Sequence, residues 1–145
     1  MKPINEMKMS FESRSCNEAF ARSTVAAFIS VLDPNVEEIS DIKTAVSEAV
    51  TNCIVHGYKD NIGTDYIHGK IFEGARISII IRDKGCGIDD IKKAMQPLYT
   101  TSENGERAGL GFSIMESFMD KLKVRSKLGK GTSVTLEKTI VSKGT

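Results

Sequence analysis

The chain has 145 residues, with 20 Lys and Arg against 19 Asp and Glu for a formal net charge of +1. At 40% hydrophobic and 27% charged, it has the composition of one globular domain over residues 1–145, not of a disordered tail. Balanced charge argues against nucleic-acid binding through bulk phosphate neutralisation, and no apolar run approaches the ~20 residues that cross a bilayer.

Residues 4–13 alternate at Met7, Met9 and Phe11 and read as a half-buried strand. Ser15 with Glu18 has the spacing of a capping box and opens a helix. That helix carries Ala19, Phe20, Ala27, Phe28, Val31 and Leu32 as its apolar positions, and Asp33-Pro34 stops it. Asn35 with Glu38 starts a second helix, whose apolar side is Ile39, Ile42, Val46, Ala49, Val50 and Cys53. Gly57 is expected to end it as a left-handed cap. Residues 59–66 read as a loop, 67–72 and 76–83 as strands joined by a turn at Glu73-Gly74, and 88–95 as a short helix. Residues 96–108 are polar and lack a core pattern. A further helix starts around Gly109-Leu-Gly-Phe, with Met115, Phe118, Met119 and Leu122 at helical spacing. Strands over 124–126 and 132–140 flank Leu128-Gly-Lys-Gly. Helices with an antiparallel or mixed sheet predict a two-layer α/β sandwich.

Cys16, Cys53 and Cys86 are odd in number and widely spaced, and no CxxC pair occurs, so neither a disulfide framework nor a zinc site is expected. His56 and His68 stand in no metal-binding spacing. With no apolar secretory core in residues 1–6, three reduced thiols in a cytoplasmic protein are expected.

Four motifs carry candidate chemistry. On the second helix, at about 100° per residue, the apolar set falls within about 60° of Val46. Glu48, Asn52 and His56 lie at roughly 200 to 280°, with only Ala45 among them. These three read either as a solvated face or as a site. In the second case Glu48 and Asn52, one turn apart, hold a hard cation and activate a hydroxyl. Asp83-x-Gly85-x-Gly87 follows a hydrophobic strand directly. It reads either as a plain turn or as a place where the backbone closes on a flat ligand whose amine the carboxylate accepts. Gly105-x-x-x-Gly109-Leu-Gly111 reads either as a glycine-rich helix entry beside an ordinary surface loop or as a helix start whose free N–H groups favour an anion, with Arg107 placed to reach a phosphate there. The polar stretch before it has the composition of a lid. Gly129-x-Gly131-Thr132 alone is a hairpin. A P-loop, a complete Rossmann fingerprint and the HRD and DFG triplets are all missing.

In this order, ExxxN, DxGxG, GLG and GxGT resemble the GHKL (histidine-kinase-like) ATPases over essentially the whole chain. Ser47-Glu-Ala-Val-Thr-Asn-Cys-Ile-Val-His-Gly-Tyr58, Gln96-Pro-Leu-Tyr-Thr-Thr101 and Gly111-Phe-Ser-Ile-Met-Glu-Ser-Phe-Met-Asp120 are similar, within that superfamily, to the anti-sigma F factors of spore-forming bacteria. The resemblance implies an α/β sandwich with a mixed sheet and an ATP lid, bound Mg²⁺ and ATP, and a homodimer. It also implies an anti-sigma factor that holds a sporulation sigma factor when ATP-bound and acts as a serine protein kinase on an anti-anti-sigma antagonist. By the same resemblance Glu48 is the general base, Asn52 the Mg²⁺ ligand and Asp83 the acceptor of the adenine amine. Gly85 and Gly87 shape the pocket. Gly109 and Gly111 give N–H groups to the phosphates, Arg107 meets the γ-phosphate, Thr132 helps hold the adenine, and Arg22 contacts the sigma factor. The alternatives are a related stress-response switch kinase, a histidine-kinase catalytic domain, and a module that binds ATP without catalysis. The first shares the pocket, and the second wants an upstream phospho-accepting histidine. The third has no need of Glu48.

Overall fold

Residues 1–59, 61–95 and 110–141 are described by a computed structural model of the chain. Strand β1 (Asn5–Glu12) leads into α1 (Asn17–Ile29), a 3₁₀ turn (Ser30–Leu32) and α2 (Val36–Asn52). A π-helical turn (Cys53–Gly57) then precedes β2 (Thr64–Phe72) and β3 (Arg76–Asp83). After α3 (Ile91–Ala94) come α4 (Phe112–Phe118), β4 (Lys121–Lys127) and β5 (Gly131–Thr139). The five strands lie in the order β1-β2-β3-β5-β4. Every pairing among the described residues is antiparallel, where a mixed sheet was expected. The two-layer α+β sandwich stands.

Side-chain alternation sends one face of the sheet into the core. Ile67 and Ile71 of β2, Ile77, Ile79 and Ile81 of β3, and Val134 and Leu136 of β5 are buried against the helices. Helix α1 answers with Ala21, Val25 and Ile29, spaced by four. The face expected from Phe20 and Val31 is instead exposed. Small and branched residues let α1 approach the sheet closely, and Phe20 only rests edge-on against Phe11 of β1, at 6.3 Å between centroids. On α2 the buried set is Ile42, Ala45, Val46, Ala49 and Val50, wider than the predicted stripe because α4 covers the side that carries Ala45.

The helix starts differ. Asn35 forms the predicted capping box: its side chain accepts from the Glu38 N–H at 2.7 Å, and Glu38 Oε1 accepts from the Asn35 N–H at 3.0 Å. The other Glu38 oxygen accepts from the Val141 N–H at 3.0 Å, which ties the end of the sheet layer to the start of α2. The box predicted at Ser15 is not made. Cys16 occupies the cap position with helical φ and ψ and no side-chain cap bond. The chain is held instead by Asn17, whose Nδ2 donates to the Glu12 carbonyl at 2.8 Å.

Gly57 does not end α2 as a left-handed cap. The helix widens into the π turn, where the Tyr58 N–H reaches back to the Cys53 carbonyl at 3.1 Å. Strand β2 begins at Thr64, inside the expected loop, because its ladder with β1 runs to Glu12↔Thr64. Helix α4 stops at Phe118: Met119 is extended, and the Asp120 N–H joins the Glu137 carbonyl at 2.9 Å, so Leu122 belongs to β4. Among the described residues no helix is long and apolar enough to cross a membrane. The predicted lid over 96–108, with Arg107, and Gly109 after it lie outside the described residues.

Candidate nucleotide site

The end of β3, the π turn of α2, the start of α4 and the start of β5 meet around a narrow, largely apolar cleft. Asn52, Asp83, Gly87 and Thr132 line it, together with Ala49, Cys53, His56, Leu110 and Phe112. The carboxylate at the strand end, the helix amide and the hairpin threonine are far apart in sequence, yet they converge.

Asp83 is the most constrained of them. It is 4% exposed, and burial raises its carboxyl above the usual range. Hydrogen bonding from the Gly85 N–H, 2.8 Å away, and from the Thr132 backbone and the Cys53 thiol pulls the other way and favours the charged form. The glycines around it are demanded by backbone approach. A Cβ on Gly85 would sit 2.0 Å from the Gly57 carbonyl oxygen, and one on Gly57 would sit 2.8 Å from Asp83 Oδ2. The Cys86 N–H bonds that Gly57 carbonyl at 2.8 Å, so the loop after β3 is stitched to the end of α2. Thr132 Oγ1 is 2.8 Å from Ser126 Oγ, which accepts from the Ile88 N–H at 2.7 Å.

Asn52 and Glu48 are half-buried under α4 rather than solvated. Asn52 Nδ2 donates to the Leu110 carbonyl, which leaves Oδ1 buried with no hydrogen-bond partner among the described residues. A buried amide oxygen without a donor costs free energy and is a suitable ligand for Mg²⁺, which takes few protein oxygens and completes its shell with water and phosphate. The residues present fit that ion. Glu48 lies against the start of α4: a Cβ on Gly111, where φ is 73°, would fall 2.3 Å from Glu48 Oε2. Glu48 also lines a groove between α1 and α2, together with Arg22. Arg22 is therefore outside the cleft, and it pairs with Glu18 at 2.5 Å.

Some residues that support the cleft from outside had no role read for them in the sequence. Tyr58 Oη accepts from the Lys84 N–H at 2.8 Å and donates to the Thr64 carbonyl. It thereby clamps the π turn to two strands. Ser126 supports Thr132, and Asp65 is buried beside Asp83. Tyr58 stood in the sequence only as the last residue of the 47–58 segment, and Asp65 fell in the stretch 59–66 read as a loop.

A model of the histidine kinase-like ATPase domain matches residues 11–138. An anti-sigma F factor of Thermoanaerobacter sp. (strain X514) is 56% identical over 142 residues, covering 98% of this chain and 99% of the relative. The chain belongs to the anti-sigma F factor family of histidine kinase-like ATPases. A second member, from Caldanaerobacter subterraneus subsp. tengcongensis, is 55% identical over 136 residues and 94% of either chain. Among solved structures, the RsbU and RsbW domains of a Mycobacterium tuberculosis protein superpose with a TM-score of 0.68 at 15% identity, over 95% of this chain and 33% of that one. That likeness concerns the fold. A histidine kinase-like ATPase domain implies ATP binding.

Proposed function

We propose that this chain is a cytoplasmic, homodimeric anti-sigma factor of the partner-switching kind that works as an ATP-dependent serine protein kinase. In its ATP-bound form it holds a sporulation sigma factor, and it phosphorylates a serine of the anti-anti-sigma antagonist that displaces that factor. The observation that carries this reading is the convergence of Asp83 and Asn52 on one cleft, with Glu48 set between that cleft and the groove of Arg22.

Asp83 accepts the adenine amine while Gly85 and Gly87 leave room for the base and Thr132 steadies it. The Asn52 oxygen is a ligand for Mg²⁺, which when bound neutralises phosphate charge. Backbone N–H groups at Gly109 and Gly111, with Arg107, take the phosphate oxygens. Phosphoryl transfer requires mainly positioning and charge neutralisation, so the one proton-handling group needed is a base for the serine hydroxyl. Glu48 is that base. Arg22, on the same groove, meets the partner protein.

The test is transfer of γ-labelled phosphate from Mg-ATP to the serine of a candidate antagonist, with Glu48→Gln alongside. Loss of the base should slow single-turnover transfer ~10²–10⁴-fold while nucleotide binding survives. An unchanged rate removes Glu48 from the role, and tight ATP binding without transfer in the wild type favours a non-catalytic module.

A further inference from the structure

Asp65 lies outside the machinery described so far. It is fully buried, at 0% exposure, and neither of its carboxylate oxygens has a hydrogen-bond partner among the described residues. Its place in the sheet explains why that matters. The β2–β3 register runs to Tyr66↔Arg82, so the next facing positions are Asp65 and Asp83. Phe11 faces Asp65 from β1, and Thr132 faces Asp83 from β5. A transverse row therefore crosses the sheet as Phe11, Asp65, Asp83 and Thr132, with two carboxyl groups side by side on the core face. Directly opposed residues of this kind stand with Cβ atoms about 5 Å apart, where like charges repel.

The two carboxyls have unequal surroundings. Asp83 receives hydrogen bonds from the Gly85 N–H, the Cys53 thiol and the Thr132 backbone, all of which favour a negative charge there. Asp65 receives none among the described residues. The titratable groups around it are Asp83 on β3 and Cys53 and Tyr58 from the π turn, with His56 lining the adjoining cleft. No basic side chain among the described residues offsets a charge on Asp65. An ionised, unsolvated carboxylate without donors is costly, so the group holds its proton.

We propose that Asp65 is a positioning residue for nucleotide recognition: it keeps a proton beside Asp83, and the pair behaves as one acid and one carboxylate in which Asp83 retains the charge that accepts the base's amine. The inference rests on the nucleotide reading of the cleft. Burial, and then the charge of Asp83, raise the Asp65 carboxyl to about 7, so its proton is exchanged within the physiological range. A nucleotide seated on Asp83 removes further water and makes a second charge costlier still. Binding then favours the protonated pair, and affinity declines as pH rises through neutrality.

Mg-ADP binding is measured by titration calorimetry from pH 6 to 8.5, in buffers of different ionisation enthalpy, for the wild type and Asp65→Asn. Protons taken up by ADP itself are common to both proteins. The wild type is expected to take up an additional fraction of a proton near neutrality and to lose about three- to tenfold in affinity relative to the variant over that range. Parallel affinity profiles with equal proton uptake overturn the proposal. The carboxyl ¹³C resonance of Asp65 in nucleotide-free wild type, followed against pH, tests the pair without a ligand and without a variant. Titration near neutrality, moving lower in Asp83→Asn, supports it, whereas ionisation in the ordinary aspartate range overturns it. Absence of ADP binding at every pH overturns the nucleotide reading and the positioning role together, whatever the carboxyl titration shows.

Discussion

Replacing Asp65 by Asn should stabilise the fold, and the gain should grow with pH. The unfolded carboxyl titrates near 3.8, and the folded one is raised to about 7 by burial and by Asp83. Between those values the folded state binds more protons than the unfolded state, so wild-type stability falls as pH rises and levels off above about 7. At about 1.4 kcal/mol per pH unit, that interval corresponds to as much as ~4 kcal/mol, a large part of the 5–15 kcal/mol typical of whole domains. Asparagine has nearly the same shape, does not titrate, and brings an N–H donor toward Asp83. Urea unfolding of both proteins at half-unit steps from pH 4 to 8.5 measures the difference directly. The advantage of Asp65→Asn should be small at the acid end, climb through pH 5 to 7 and then plateau. A difference that stays constant with pH would show that Asp65 ionises normally in the folded protein, and the argument from its burial would be wrong.

Asp83→Asn removes a charged acceptor and offers an amide whose N–H groups oppose the base's amine. Mg-ADP affinity should drop about 10- to 100-fold, given the ~1.5–3 kcal/mol of a hydrogen bond to a charged group, as fluorescence competition with a labelled nucleotide would record. Gly57→Ala places a methyl group 2.8 Å from Asp83 Oδ2, so nucleotide affinity should weaken while circular dichroism stays that of the wild type. Unaltered affinity would mean the π turn yields without disturbing Asp83. Asn35→Ala removes half of the α2 capping box and should cost about 1 kcal/mol in urea unfolding; the same substitution at Ser15, which caps nothing, should cost much less.

The motifs and the fold class were legible because each is a local pattern. The isoleucine run of β3, the Asn35–Glu38 capping box and the glycines after Asp83 each express a short-range preference, of the strand, the helix start or a tight turn. Exact boundaries were less legible. The Ser15–Glu18 pattern satisfies the same capping rule as Asn35–Glu38, but backbone hydrogen bonds from Arg14 and Asn17 into the preceding turn set the chain on another path. Helical periodicity likewise suggested Phe20 for the buried side of α1, while the close approach of the helix to the sheet favoured Ala21, Val25 and Ile29. The wheel of α2 set Glu48, Asn52 and His56 apart from the core side but did not say that a second helix covers them.

From sequence alone came the residue types a nucleotide site requires and their order along the chain. Spacing constrains chemistry wherever functional groups share a helix turn or a strand end. Only the tertiary structure decided that Asn52 has an oxygen without a partner among the described residues, that Gly57 is a glycine to make room for Asp83, and that a second aspartate stands beside it. Those properties depend on which strands are neighbours and on their register. The antiparallel pairing of β2 with β3 brings together residues 65 and 83, and no local pattern along the chain encodes the desolvation and repulsion that follow.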